Sequence, residues 1–119
     1  MLVVQVIVLI ISLCISGGFA PLSVNPTAGP APQILLTLGA KDFPQIRRGE
    51  LWRLFMPVFL HDGVLHLLVN AIAQVRIALP LEKKWGSHRF LLVYFGAGIN
   101  GAAWSCATQP AVAGVGSSA

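Results

Sequence analysis

The chain has 119 residues, of which 55% are hydrophobic and only 10% are charged. Soluble domains carry about 25% charged residues, so this composition excludes an ordinary soluble domain and indicates a multi-pass integral membrane protein built from α-helices. The formal net charge of +4 comes from eight Lys and Arg residues against four acids. No basic patch is interleaved with aromatic residues, so we interpret the basic residues as topology signals and expect no nucleic-acid partner.

Residues 1–20 are apolar almost throughout. About 20 helical residues cross the roughly 30 Å hydrocarbon core of a bilayer, so this segment is predicted to be the first transmembrane span. A cleaved signal peptide is the alternative, because Gly18, Phe19 and Ala20 resemble a small-residue cleavage site. Against that alternative, no basic residue precedes the apolar run and Pro21 follows the site directly.

A long first loop follows, and residues 21–45 are predicted to be the loop that separates the first span from a domain beginning at residue 46. Prolines and small polar residues exclude a regular span from residues 21–32, and charged residues interrupt the apolar pattern of residues 33–63 every few positions. Such a segment is typical of a membrane interface. Trp52 is predicted to be an interfacial anchor, with Arg53 reaching lipid headgroups or backbone carbonyls.

Two further spans are predicted at residues 63–82 and 90–109. The connection between them, residues 82–89, carries Lys83 and Lys84 and is therefore predicted to lie in the cytosol, because cytosolic loops are enriched in basic residues.

The third span is rich in small residues. Gly98 and Ala102 are four apart, as are Gly101 and Ser105, and this spacing lets neighbouring helix backbones approach closely. We therefore expect this helix to be central to a bundle. A fourth apolar segment begins near Gly114, so the predicted fold is an all-α polytopic helical bundle of about three spans plus the start of a fourth.

Polar side chains are predicted to meet at one membrane level. His66 and Asn70 are four apart and share one face of the second span, roughly 5 to 10 Å from its start. If spans two and three cross in opposite directions, Ser117 and Ser118 stand at the same membrane face. His61 precedes His66 by five positions, a rotation of about 140° along a helix, so it is expected to lie apart from the other two.

The spacing bears on the chemistry of this cluster. Zinc ligands from one helix are typically three or four residues apart, and a closed site needs four ligands, so no metal site is predicted. An alternative interpretation is that His66 and Asn70 have a structural role, as donors and acceptors of hydrogen bonds between helices. Together with a serine, the pair indicates acyl transfer, in which a base activates the hydroxyl and hydrogen-bond donors stabilise the oxyanion.

Residues 46–119 resemble the rhomboid family of intramembrane serine proteases, and we predict that they form a partial rhomboid domain. The resemblance rests on several segments in the family's order: Trp52-Arg53, FLHDGVLHLLVN, LEKKWGSHRFLLVY, the Gly-rich third span and VGSSA. It implies a rhomboid-like fold, and a serine endopeptidase that cleaves transmembrane protein substrates within the lipid bilayer. It implies no cofactor.

The family's G-x-S-G motif aligns with Gly116-Ser117-Ser118-Ala119, which implies that Ser118 is the nucleophile. The resemblance assigns His66 and Asn70 to oxyanion binding, together with the backbone N–H of Ser118. It also implies that the Trp52-Arg53 pair organises the first loop.

The sequence departs from the family pattern at two points. Ala119 stands where the family has glycine, and no histidine follows Ser118, whereas the family takes its general base from a later span. We therefore interpret the chain as an N-terminal fragment that lacks the base. The alternative function is a catalytically inactive rhomboid-like protein that binds client membrane proteins, and an unrelated helical bundle is a third hypothesis.

Overall fold

The computed structural model describes residues 1–115, and this part of the chain is helical. Its only extended pairing is a single bridge between Lys41 and Gly114. The predicted all-α character is confirmed. The helices are α1 Leu2–Ser16, α2 Pro32–Leu38, α3 Phe43–Arg47, α4 Val64–Ala73, α5 Leu79–Trp85 and α6 Ser87–Thr108, with 3-10 turns at Leu51–Leu54 and Met56–Val58 and a π-helical turn at Gln74–Ala78.

Within residues 1–115, two helices are long and apolar enough to cross a membrane. The first joins α4, the π-helical turn and α5 into one helix, Val64–Trp85, and the second is α6; each has 22 residues. At 1.5 Å per residue, each extends about 33 Å, enough to cross the hydrocarbon core. They agree with the predicted spans 63–82 and 90–109 to within about three residues at each end. Large apolar side chains such as Leu92, which is 76% exposed, are suited to lipid, and the protein is an integral membrane protein.

Pro80 lies within the first of these helices without ending it. Proline has no backbone N–H, and its ring crowds the carbonyl four residues earlier. The π-helical turn Gln74–Ala78 lies just before Pro80, where a wider turn relieves that crowding. Arg76 belongs to this turn and its side chain is exposed.

The connection between the two long helices is much shorter than the predicted loop 82–89. Helix α5 continues to Trp85 and α6 begins at Ser87. Gly86 alone joins them with a φ of +83°, a conformation that glycine adopts without steric cost. The residues on both sides therefore extend the helices instead of forming a loop.

Helix α1 is shorter than the predicted first span. It has 15 residues and ends at Gly17, whose φ is +73° and whose N–H donates to the Cys14 carbonyl. This left-handed glycine is a common way to end a helix. The helix packs against α2 and α4 and extends about 22 Å; its crossing of the membrane stays a prediction.

A buried polar network ties α1 to both long helices. The Gln5 side chain is fully buried, and its Nε2 donates to the Val58 carbonyl and to the Tyr94 hydroxyl, each at 3.0 Å. Gln74 Nε2 donates to Gln5 Oε1 at 2.7 Å. These bonds satisfy polar groups in an otherwise apolar setting, where an unsatisfied group is costly.

The small residues of α6 pack against the first loop. Ala102 is fully buried, and a Cβ placed on Gly98 would lie 2.5 Å from Cγ2 of Val58. The close approach predicted from the small-residue spacing is present, but within residues 1–115 the neighbour at Gly98 is the 3-10 turn that contains Val58 and not another span. The first loop therefore packs against a membrane-length helix, α6.

Candidate active site

His66 and Asn70 lie one turn apart near the start of α4. His66 is half-buried, while Asn70 is buried, with 8% of its surface exposed. The amide Nδ2 of Asn70 donates to the main-chain carbonyl of His66 at 3.1 Å. Side chains four residues apart on a helix are neighbours, so both polar groups belong to one face, as the spacing predicted.

His61 lies beside His66, which contradicts the predicted separation. Their ring centroids are 5.3 Å apart in an edge-to-face arrangement. The rotation of 140° assumed helical backbone between them, but α4 begins only at Val64. Because residues 61–63 are not helical, they return the His61 ring to the His66 side.

The environment of His61 disfavours its charged form. The side chain is 1% exposed, and its Nδ1 is 3.3 Å from the Phe59 carbonyl. Within residues 1–115, its Nε2 has no hydrogen-bond partner. Burial lowers the pKa of His61 below its ordinary value; the Phe59 carbonyl opposes this shift and the neighbouring His66 adds to it. His61 is therefore neutral near pH 7.

The first turn of α4 is held by the proline-rich part of the first loop. The N–H of Val64 donates to the Ala28 carbonyl at 2.9 Å, and the N–H of Leu65 donates to the Thr27 carbonyl at 3.1 Å. These bonds satisfy donors that a helix start otherwise leaves without partners. A Cβ at Gly63 would lie 2.4 Å from the Thr27 carbonyl oxygen, so the close contact requires glycine there.

Asn25 fastens this part of the loop. Its side chain is 2% exposed, and Nδ2 donates to the carbonyls of Pro30 at 2.9 Å and Asp62 at 2.8 Å. Its Oδ1 accepts the N–H of Thr27 at 3.0 Å. Sequence reasoning missed Asn25; the Asn-Pro-Thr order, in which an Asn side chain bonds its own backbone two residues on, is a signal for the local turn but not for the bond to Asp62.

Arg53 connects separate parts of the first loop. The side chain is buried, and one terminal nitrogen donates to the carbonyls of Leu36 at 2.6 Å and Ala40 at 3.1 Å. Its Nε donates to the Glu50 carboxylate at 2.7 Å. Backbone carbonyls are one of the two kinds of partner that the sequence predicted for Arg53.

Trp52 packs over the end of α2. The guanidinium of Arg53 lies 4.8 Å from the centroid of the Trp52 ring, a cation–π distance. A Cβ at Gly39, whose φ is +107°, would lie 2.1 Å from Cζ3 of Trp52. Glycine at that position lets the ring cover the turn that follows α2.

The chain approaches the start of α4 again just before the predicted nucleophile. Val115 packs on the cluster formed by Leu35, Ala40 and Leu60. Gly114 and Asp62 line one small cavity of about 110 Å³. Ser117 and Ser118 lie outside the described residues, but residues 113–115 lie at the end of the structure that also contains His61 and His66.

His88 lies far from this cluster. It belongs to the first turn of α6 and its side chain is exposed. Since α6 starts where the Val64–Trp85 helix ends, His88 lies roughly 30 Å from His66 along the helix axis. Within residues 1–115, no group of three or more His, Cys, Asp or Glu side chains lies close enough together to hold a metal ion.

The fold and the site together define a class of protein. It is a helical integral membrane protein with a polar His–Asn pair at the start of a membrane-length helix. Residues 48–119 match the family model described as the Rhomboid domain. The chain belongs to the rhomboid family.

Three relatives, two of them named as proteases, are similar to most of the chain. Rhomboid-like protease 2 of Toxoplasma gondii is 45% identical over 96 residues, which are 81% of this chain and 32% of the relative. Rhomboid protease GluP of Bacillus subtilis is 41% identical over 78 residues, which are 66% of this chain and 15% of the relative. RHOMBOID-like protein 5 of Arabidopsis thaliana is 36% identical over 92 residues, which are 77% of this chain and 30% of the relative. The chain thus spans a third or less of the length of these relatives, and no solved structure matches it significantly.

Proposed function

We propose that the chain is the N-terminal part of a rhomboid-type intramembrane serine endopeptidase that cleaves transmembrane protein substrates. The observation that carries the proposal is the pair of His66 and Asn70 at the start of a membrane-length helix, with residues 113–115 returning to the same end of the molecule. The protease names of the similar proteins from Toxoplasma and Bacillus support it.

In this proposal, the Oγ of Ser118 attacks the scissile carbonyl of the substrate while its proton passes to a base. The peptide C–N bond then breaks, the amine leaves with that proton, and water hydrolyses the resulting acyl-enzyme. The oxyanion accepts hydrogen bonds from the His66 ring, the Asn70 amide and the backbone N–H of Ser118. Donors of this kind act most strongly where water is excluded. The contact between Asn70 Nδ2 and the His66 carbonyl supports this role, because it limits rotation of the amide.

A serine hydroxyl needs a base that takes its proton. We assign this role to none of the three histidines. His88 is at the far end of the membrane helices, His66 is proposed to bind the oxyanion, and His61 has one ring nitrogen directed at the Phe59 carbonyl. A histidine beyond residue 119 is proposed to be the base, in keeping with the greater length of the relatives.

The test uses the full-length protein, reconstituted in liposomes with a transmembrane reporter. We expect cleavage that Ser118→Ala abolishes and Ser117→Ala, the matched control, retains. The 119-residue chain alone is expected to leave the reporter intact, because little proton abstraction occurs without a base.

Equal loss in both serine variants would show that the nucleophile is misassigned. A full-length protein that binds the reporter without cleaving it would support the inactive client-binding alternative instead.

A further inference from the structure

Lys41 is a fully buried lysine of the first loop, between α2 and α3. Its ammonium Nζ donates to the Ser105 hydroxyl at 2.8 Å, to the Gln109 carbonyl at 3.2 Å and, more weakly, to the Ser105 carbonyl at 3.5 Å. These oxygens belong to the last turn of α6 and to the residue that follows it. A cation is favourable at this position, because the C-terminal end of a helix carries partial negative charge.

The main chain of Lys41 also binds Gly114. The N–H of Lys41 donates to the Gly114 carbonyl at 2.8 Å, and the N–H of Gly114 donates to the Lys41 carbonyl at 3.2 Å. Lys41 therefore binds both ends of the turn formed by residues 109–114, one end through its side chain and the other through its backbone.

Burying a charged side chain costs free energy that burying an apolar side chain does not. Removing an ammonium group from water is costly, and its hydrogen bonds must offset that cost before they add stability. What the ammonium adds is direction, because its three N–H groups require acceptors at defined positions. The arrangement is therefore better explained by the geometry it imposes on α6 and the following turn than by stability alone.

We propose that Lys41 is a positioning residue for the nucleophile, acting through the turn of residues 109–114. This inference rests on the proposed function of Ser118. Ser118 is four residues beyond Gly114 in the sequence, and four residues of fully extended chain span at most about 14 Å. A shift of the turn is therefore transmitted over a short length of chain, and a misplacement of about 1 Å can reduce a rate by roughly 100-fold.

Kinetics of the full-length protein test the role of the side chain. Lys41→Met keeps the volume of the aliphatic stem and removes the donors. We expect kcat per active site to fall roughly 10- to 100-fold, with KM changed by less than about twofold because substrate binding does not use this residue. The rate at which a fluorophosphonate probe labels Ser118 is expected to fall in parallel.

Three further variants separate positioning from general damage. Ser105→Ala removes one acceptor and is expected to lower kcat in the same direction but less. The double variant is expected to be no slower than Lys41→Met, because both changes remove the same interaction. Lys84→Met changes an exposed lysine in α5 and is expected to keep the wild-type kcat. A normal kcat per active site in Lys41→Met would overturn the proposal.

A distance measurement tests the same placement without requiring activity. Spin labels on Gln33→Cys and Val112→Cys, both at exposed positions, are introduced with Cys14 and Cys106 replaced by Ser and Ala. We expect a narrow distance distribution by pulsed electron resonance when Lys41 is present and a broad or shifted one in Lys41→Met. Unchanged distributions would overturn the role of Lys41, whereas a narrow wild-type distribution in a protein that cleaves nothing would count against the proposed function only.

Discussion

Replacing Arg53 with methionine is expected to loosen the first loop more than any exposed substitution in it. Methionine keeps most of the apolar stem of the buried side chain, so the change removes the guanidinium without leaving a large cavity. The change removes the bonds to the Leu36 and Ala40 carbonyls and the contact with the Glu50 carboxylate. It also removes the cation–π contact with Trp52.

The magnitude follows from these contacts. A hydrogen bond from a charged donor contributes roughly 1.5 to 3 kcal/mol, so the two carbonyl bonds together contribute roughly 3 to 6 kcal/mol. The Glu50 side chain is 38% exposed, so its ion pair is screened by solvent and adds at most about 1 kcal/mol. The free energy of unfolding is therefore expected to fall by roughly 3 to 7 kcal/mol, a large share of the 5 to 15 kcal/mol that is typical of proteins.

Unfolding of the full-length protein by SDS in mixed micelles, followed by tryptophan fluorescence, measures this change. Arg48→Met is the matched control, since Arg48 is exposed, and its effect is expected to stay within about 0.5 kcal/mol. Arg53→Lys is expected to lie between the two, because an ammonium cannot reproduce the planar fork of donors. A loss below about 1 kcal/mol for Arg53→Met, or an equal loss in the control, would refute the assignment of the guanidinium as the group that joins α2 to the rest of the loop.

Two further predictions concern the start of α4. Asn25→Ala removes the donor to the Pro30 and Asp62 carbonyls and is expected to lower the free energy of unfolding by roughly 1 to 3 kcal/mol. Hydrogen exchange at the Val64 amide is expected to become faster, and exchange at the wild-type rate would contradict this prediction. The pKa of His61 is lower in the folded protein than its ordinary value of about 6.5 in the unfolded chain. Between these two pKa values the unfolded chain binds more protons than the folded protein. Stability is therefore expected to decrease as the pH falls from about 7 through 6.5 toward the lower folded-state pKa. His61→Gln is expected to flatten this slope, and a slope that persists unchanged would show that another group causes it.

The sequence was sufficient for the membrane helices and for the candidate pair on one of them. Apolar runs of membrane-crossing length predict the second and third spans to within a few residues, because length and hydropathy are local properties. Likewise, His66 and Asn70 share a face because helical backbone rotates by a nearly constant angle per residue. The same rule was wrong for His61, since the residues between it and α4 are not helical and carry no constant rotation.

Contacts across the first loop were beyond prediction from the sequence alone. Asn25, Lys41 and Arg53 are separated from one or more of their partners by many residues, so no local periodicity connects them. Their bonds depend on how an irregular chain folds back over the helices, and irregular backbone has many conformations of similar energy.

The sequence by itself determined that this is a helical membrane protein, and its ordered motifs pointed to the rhomboid family. Only the tertiary structure decided that the first loop packs on the small residues of α6, caps the start of α4 and binds the turn that precedes Ser117 and Ser118. The physical reason is that hydropathy and helical spacing act along the chain. The partners of a buried ammonium, guanidinium or amide are instead chosen by which oxygens the folded chain brings within about 3 Å.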